Sequence, residues 1–304
     1  MLATASIDGA PVPLPPGPPY AAAALDPAWA AKIRFAEEDP FVSGSGDPAH
    51  AYLDGARDAW DSHPAWMDFL TPDSPAFAAK KLERDLYLHH WDPALAGARR
   101  VLDVGCGIGR FLTALLDRGL DVVGVDADAE SLRRCLFHAA GRAGRIDLAW
   151  ASVHTLPEGP FDAVIAAEVL CYVPDHEGAL AEIHRRLRRG GALLISVEAT
   201  WGWAASPDAP QGTVETALEG GVVDLPGDRW VRTWEASALR AALTEAGFDV
   251  ELVLPTHYFF DGPLERLVSD DMRLEDLLAL EARARVHPVW GPLARAHLAV
   301  ARRR

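Results

Sequence analysis

The chain has 304 residues, 29 of them basic and 44 acidic, for a formal charge of −15, and 49% are apolar. That length and composition suit a globular protein with a substantial core and exclude wholesale disorder. The acidic balance argues against partners held through phosphates, whether nucleic acid or an anionic membrane surface.

Cys106, Cys135 and Cys171 are the only cysteines and none sits in a CxxC spacing. A sparse, odd set offers no disulfide framework and no zinc or iron–sulfur site, and it suits a reducing compartment. The first basic residue is Lys32, so no positively charged leader is expected, and no apolar run approaches the roughly 18 residues that a membrane span needs. The expectation is a soluble cytoplasmic protein.

In chain order, residues 1–24 carry Pro11, Pro13, Pro15, Pro16, Pro18 and Pro19 and read as a flexible arm. Residues 25–95 are amphipathic and aromatic, with Trp29, Phe35, Phe41, Trp60, Trp66 and Phe69 among them. They read as short helices forming a cap that packs on something else. From residue 96 onward the pattern becomes regular. Strand-like runs are expected at Arg100 to Val104, Val122 to Val125, Ile146 to Ala151, Phe161 to Ala167, Ala192 to Val197, Phe248 to Leu254 and His297 to Ala301. Helical stretches separate them, at Phe111 to Arg118, Ala129 to about Ala140, His176 to Arg189 and Glu235 to Ala246. Such alternation predicts an α/β fold with a doubly wound, mostly parallel seven-stranded sheet. The last strand is expected at an edge, and residues 199–233 read as an insertion.

The sharpest local signal is Asp103-Val104-Gly105-Cys106-Gly107-Ile108-Gly109-Arg110, placed where the first strand ends and the first helix of the repeat begins. A dinucleotide-binding loop needs a third glycine where this chain has Arg110. Asp103 would repel a pyrophosphate but suits a ligand carrying an ammonium and a sulfonium, which favours S-adenosylmethionine over NAD. The second strand ends at Asp126, where a carboxylate can accept both ribose hydroxyls, and Ala127 would then lie against the adenine. Asp128 reads as the cap of the following helix.

With these motifs in order, residues 80 to 304 resemble the class I S-adenosylmethionine-dependent methyltransferases of the small-molecule type, with a Rossmann-like fold. The resemblance implies a cofactor site of Asp103, Gly105, Cys106, Gly107, Asp126, Ala127, Ser152, Val153 and Ala167. Ser152 stands where relatives commonly have the Asp that contacts the adenine amino group, so that contact is weakened or passes to backbone. Ala167-Glu168-Val169-Leu170 resembles the cofactor-flanking turn, Leu187-Arg188-Arg189-Gly190-Gly191 the Leu-x-Pro-Gly-Gly turn, and Glu245-Ala246-Gly247-Phe248 the late Ala-Gly-Phe turn.

The fourth strand is followed by neither Asn/Asp-Pro-Pro-Tyr/Phe nor a Pro-Cys nucleophile, and it lacks the acidic pair of metal-dependent catechol enzymes. No metal and no nucleic-acid acceptor are therefore expected. The acceptor is expected to be a small, apolar or aromatic molecule of the natural-product kind. Its pocket would be walled by the N-terminal segment, the turn after the fourth strand and the insertion, with Trp201, Trp203, His257 and Tyr258 as lining. Tyr172 and Glu168 are the candidate catalytic residues, ahead of His154 and His257-Tyr258 as further candidate proton acceptors. A base is needed only if the nucleophile must lose a proton. A non-catalytic partner subunit that kept the fold stays open as an alternative, as does an S-adenosylmethionine-dependent enzyme that does not methylate. A homodimer stays open as the oligomeric state.

Overall fold

Runs such as Val101-Leu102 and Val122-Val123 are apolar on both sides of the strand, as a sheet covered on both faces requires. The computed structural model describes residues 4–7, 10–13, 67–206, 209–219, 222–223, 231–260 and 271–304. Seven strands form the central sheet: β3 (Arg100–Val104), β4 (Asp121–Asp126), β5 (Ile146–Trp150), β6 (Phe161–Ala167), β7 (Leu187–Glu198), β10 (Phe248–Thr256) and β11 (Ala296–Arg303). Their order is β10-β11-β7-β6-β3-β4-β5. The five strands from β5 to β7 run parallel, and β11 is antiparallel to both β7 and β10. The sheet is thus the doubly wound, mostly parallel one expected. Two small hairpins stand apart from it: β1 (Thr4–Ile7) with β2 (Ala10–Pro13), inside the proline-rich arm, and β8 (Val222–Val223) with β9 (Val231–Arg232), inside the insertion.

Helices α1 (Phe77–Leu95), α2 (Arg110–Asp117), α3 (Ala129–Ala139), α4 (His176–Arg186), α7 (Ala236–Glu245) and α8 (Leu274–Arg285) cover the two faces, while the short α5 (Thr200–Ala204) and α6 (Thr213–Leu218) follow β7. One apolar cluster joins α1, α2, α3 and α8 to one face of the sheet. A second joins α4 and α7 to the other. The described part of the N-terminal segment is chiefly α1, which buries Leu86, Tyr87, Leu88, Trp91 and Leu95 against the sheet domain. Trp29, Trp60 and Trp66 lie outside the described residues, as does Trp230.

Two expectations are corrected. The helix from His176 ends at Arg186, three residues early, because Leu187 is already in β7, opposite Phe161 of β6. Of the arginines there, Arg186 pairs with Glu182 and Glu158, and Arg188 with Asp162, so they tie the helix end to neighbouring segments. The second correction is the last strand. β11 is not an edge; it fills the slot between β10 and β7, with Ala296 to Ala301 all buried.

Candidate functional site

Between β3 and α2 the chain turns through Gly105 (φ +65°), Gly107 (φ +52°) and Gly109 (φ +97°). These left-handed conformations favour glycine. A Cβ on Gly105 would lie 2.4 Å from Cγ2 of Val169, whereas one on Gly107 would meet nothing within 4 Å. The first glycine is therefore a packing requirement, and the second leaves open space beside the backbone. The Gly107 N–H donates to Asp126 Oδ2 at 2.7 Å, and Oδ1 accepts the Asp128 N–H at 2.8 Å. Asp128 in turn accepts from the Ser131 N–H at 3.0 Å, as a helix cap should.

Asp103 is only 1% exposed, and its Oδ2 has no hydrogen-bond partner among the described residues. Burial pushes its pKa up to about 7, against the pull of Arg110 and with a push from Asp126, itself raised to about 6 chiefly by burial. A buried carboxylate oxygen left without a partner is costly unless a ligand completes it. Beside an open glycine turn, Asp103 fits the cationic end of S-adenosylmethionine.

This burial sets the sign of a pH dependence. A bound ammonium favours the ionised carboxylate, so affinity for S-adenosylhomocysteine should be weakest where Asp103 is protonated, rise by up to about tenfold per pH unit below about 7, and level off above it. Asp126 adds the same sign near 6. Calorimetric titration from about pH 5.5 to 7.5 should show this slope with proton release, and Asp103→Asn should flatten it; a flat profile in the parent protein would remove Asp103 from the site.

The remaining cofactor-side positions fall around this turn. Trp150 Nε1 donates to the Ala127 carbonyl at 2.7 Å, so an unanticipated indole braces the residue expected at the adenine. Ser152 Oγ stays in its own turn, accepting the His154 N–H at 3.2 Å and lying 3.3 Å from Thr155 Oγ1. Val153 is buried, Ala167 half-buried and His154 exposed. Cys106 is buried with its N–H on the Val125 carbonyl, and burial and then Cys135 push its thiol well above the ordinary range. That is the opposite of an activated nucleophile.

A second group of polar residues gathers at the C-terminal ends of β6, β7 and β10. Glu168 directly follows β6 and His257 directly follows β10. They are the only non-glycine residues with positive φ among those described, at +58° and +65°. The Glu168 backbone N–H is held by the Ser196 carbonyl (3.0 Å) and hydroxyl (2.9 Å). Its Oε1 lies 3.2 Å from Arg110 Nη2 and 3.4 Å from the Tyr87 hydroxyl. Arg110 Nη1 reaches Glu83 at 3.1 Å, and Lys80 Nζ lies 3.0 Å from the same Glu83 oxygen. Burial works against the Arg110 charge, but Glu168 and Glu83 more than offset it and hold the guanidinium ionised. His257 Nδ1 shares a 2.8 Å hydrogen bond with the Tyr87 hydroxyl and stands 3.6 Å from Glu83 Oε1.

The turn carrying His257 is held by Glu281 of α8, which is fully buried. Its carboxylate accepts the Thr256 hydroxyl (2.8 Å) and the N–H groups of His257 (3.0 Å) and Tyr258 (2.9 Å). Glu83, Glu168 and His257 each offer a ligand atom within 4.8 Å of the others, as a metal site does, but the cation seated between the two carboxylates is Arg110.

The other anticipated residues divide. Tyr258 points away from this group and donates to the Gly291 carbonyl at 3.0 Å; burial pushes its pKa up to about 12. Trp203 is 2% exposed and packs with Cys171 and Val231, with half-buried Tyr172 against the same cluster. Trp201 is half-buried at the start of α5. Arg295, just before β11, pairs with Glu198 at the end of β7, with its guanidinium 5.9 Å from the Trp203 ring. Sequence reasoning missed Glu83, Tyr87, Arg295 and Glu281. The available signal was Glu83 and Tyr87 four residues apart, hence on one face of the helix, which the structure shows to be buried.

Residues 102–195 match the model of the methyltransferase domain family. The ubiquinone biosynthesis O-methyltransferase of Idiomarina loihiensis is 35% identical over 101 residues, covering 32% of this chain and 42% of that protein. The protein of the same name from Xanthomonas oryzae pv. oryzae is 34% identical over 134 residues, covering 43% and 55%. The chain spans about half the length of the curated relatives it matches. Among solved structures, the 1,6-didemethyltoxoflavin-N1-methyltransferase of Burkholderia thailandensis superposes over 88% of this chain and 92% of its own, at 21% identity and a TM-score of 0.53, a likeness of fold. The segment that matches the methyltransferase domain family, residues 102–195, carries the glycine turn and most of the five parallel strands of the sheet.

Proposed function

We propose that the protein methylates a small, apolar or aromatic molecule in the cytoplasm, with S-adenosylmethionine as methyl donor. The observation that carries this reading is the unpartnered, buried Oδ2 of Asp103 beside the open turn at Gly107. When bound, the cofactor supplies a methyl group activated by its sulfonium. The chain's own residues hold and orient it. Asp103 faces the ammonium, Asp126 offers its remaining lone pairs to the ribose hydroxyls, and Ala127 and Val153 flank the adenine. Methyl transfer is an in-line displacement, and alignment alone can supply much of its acceleration.

Glu168 is the acidic group on the acceptor side that reaches open space, its side chain 29% exposed. Tyr172 and Trp201, half-buried after β6 and β7, are the aromatic surfaces nearest in sequence to those strand ends. Calorimetry with S-adenosylhomocysteine tests the whole reading, since absence of binding overturns it. For the acceptor wall, Trp201→Ala should lower turnover at least about tenfold while cofactor affinity stays within about twofold. Equal losses in both would sink Trp201 as a wall. Trp203→Ala, by contrast, removes a packed core ring and should cost about 3–5 kcal/mol of stability.

No helix among the described residues is long and apolar enough to cross a membrane. A nucleic-acid acceptor does not suit the −15 charge.

A further inference from the structure

Three buried groups, Glu83, Tyr87 and His257, are not among the residues proposed to hold the cofactor. Two features mark them as more than packing. First, Glu168 and His257 both adopt left-handed backbone, which is strained for an L-residue and persists only where the surroundings enforce it. The surroundings do so at both places, through Ser196 under Glu168 and Glu281 under His257. Second, the Tyr87 side chain touches both strained residues, with its hydroxyl 3.4 Å from Glu168 Oε1 and 2.8 Å from His257 Nδ1. A hydroxyl that accepts on one side and donates on the other passes a proton without moving.

We propose that Glu168, Tyr87 and His257 form a proton path serving an acceptor hydroxyl, so that the enzyme is an O-methyltransferase for a phenol-like oxygen. The inference rests on the methyltransferase reading. As the acceptor oxygen's lone pair attacks the methyl carbon, its O–H proton moves to Glu168, and the C–S bonding pair stays with sulfur, leaving a neutral thioether. Glu168 then gives that proton to the Tyr87 oxygen as the Tyr87 hydroxyl proton passes to His257 Nδ1. The path ends as an imidazolium facing Glu83 Oε1 and returns its proton to solvent when product leaves. A carboxylate, ordinarily titrating near 4.3, is a poor store for a proton taken from a phenol near 10; an imidazole near 6.5 is a better one. A neutral amine acceptor would need no such path.

Glu168 is the catalytic residue of the set, while Glu83 and Glu281 are positioning residues. The charged groups facing the path are Glu83 and Lys80 from α1, Arg110 from α2, Arg295, whose backbone N–H reaches the His257 carbonyl at 3.3 Å, and Glu281 from α8.

The test needs no natural substrate. 4-Nitrophenol absorbs in the visible only as its phenolate, and it is added to the full chain saturated with S-adenosylhomocysteine about one pH unit below the probe's own midpoint. The bound probe is expected to be mostly phenolate in the parent protein. Tyr87→Phe, which keeps the ring stacked on Phe111, and His257→Asn should each cut the phenolate-to-neutral ratio about tenfold or more, with S-adenosylhomocysteine affinity unchanged. Glu83→Gln should shift the pH midpoint of bound phenolate upward, which a merely structural role would not do. A probe that binds neutral, that fails to bind, or that ionises equally in parent and Tyr87→Phe overturns the proposal. Failure of the parent to bind S-adenosylhomocysteine instead overturns the methyltransferase reading, so the two failures are told apart.

Discussion

Arg110→Met is expected to destabilise the protein by about 3 kcal/mol or more, read as a lower urea midpoint at unchanged slope. Arg110 is the cation between Glu83, which is 1% exposed, and Glu168, and removing it strands a charge in the interior. Lys80 remains beside Glu83 and keeps the loss toward the lower end of that range. The double variant Arg110→Met, Glu83→Gln should recover a good part of it, because removing both partners leaves no buried charge to solvate. Additive losses would mean that the pair is not coupled. The same substitution also frees the Glu168 carboxylate, so acceptor turnover should fall more than cofactor affinity. Arg110 stands where a dinucleotide-binding loop carries glycine, and here that position joins the cofactor turn to the N-terminal helix.

Gly105→Ala should lower S-adenosylhomocysteine affinity at least about tenfold and also lower the melting temperature. Two costs combine there. An L-residue at φ +65° loses roughly 1–2 kcal/mol, and the new methyl would sit 2.4 Å from Val169 Cγ2. A Val169→Ala partner substitution removes the overlap but not the backbone cost, so it should restore part of the stability. Full restoration would show that the conformation at Gly105 is free to relax, and no restoration that Val169 is not the obstacle. Affinity and stability fall together here because the turn is at once packing and binding surface.

The cofactor half of the site was legible because it is local. Asp103, Gly105, Gly107 and Asp126 lie within one strand–helix–strand unit, where loop chemistry and strand periodicity are both short-range. Strands β3 and β6 fell on the anticipated residues for the same reason, being short, largely apolar runs closed off by Gly105 after the first and by Pro160 before the second. The acceptor half was not legible in the same way. Glu83, Tyr87, Arg110, Glu168, His257 and Arg295 come from five separate stretches, and only their burial together shows what they do. His257-Tyr258 illustrates the limit. The pair was anticipated as one feature, yet the left-handed turn sends His257 to Tyr87 and Tyr258 to Gly291. The tryptophans divide likewise: Trp203 is core, and Trp201 alone of the described pair keeps an exposed edge. The placement of β11 was out of reach of any local pattern, since interior and edge strands differ in what pairs with them rather than in their own residues.

That placement has a consequence for assembly. β10 reaches the rest of the sheet only through β11, which follows it in the chain. A folding molecule can therefore complete β3 to β7, with the glycine turn and Asp126, while the outer pair is still unformed. Because β11 runs antiparallel, its first residues reach the face where the parallel strands end, so Arg295 arrives beside Glu198 only when that strand docks, and His257 arrives with it. Such late, long-range closure is intrinsically slow relative to the local units. The turn proposed to hold the methyl donor therefore depends only on the inner strands, whereas the groups proposed to act on the acceptor depend on the outer pair as well.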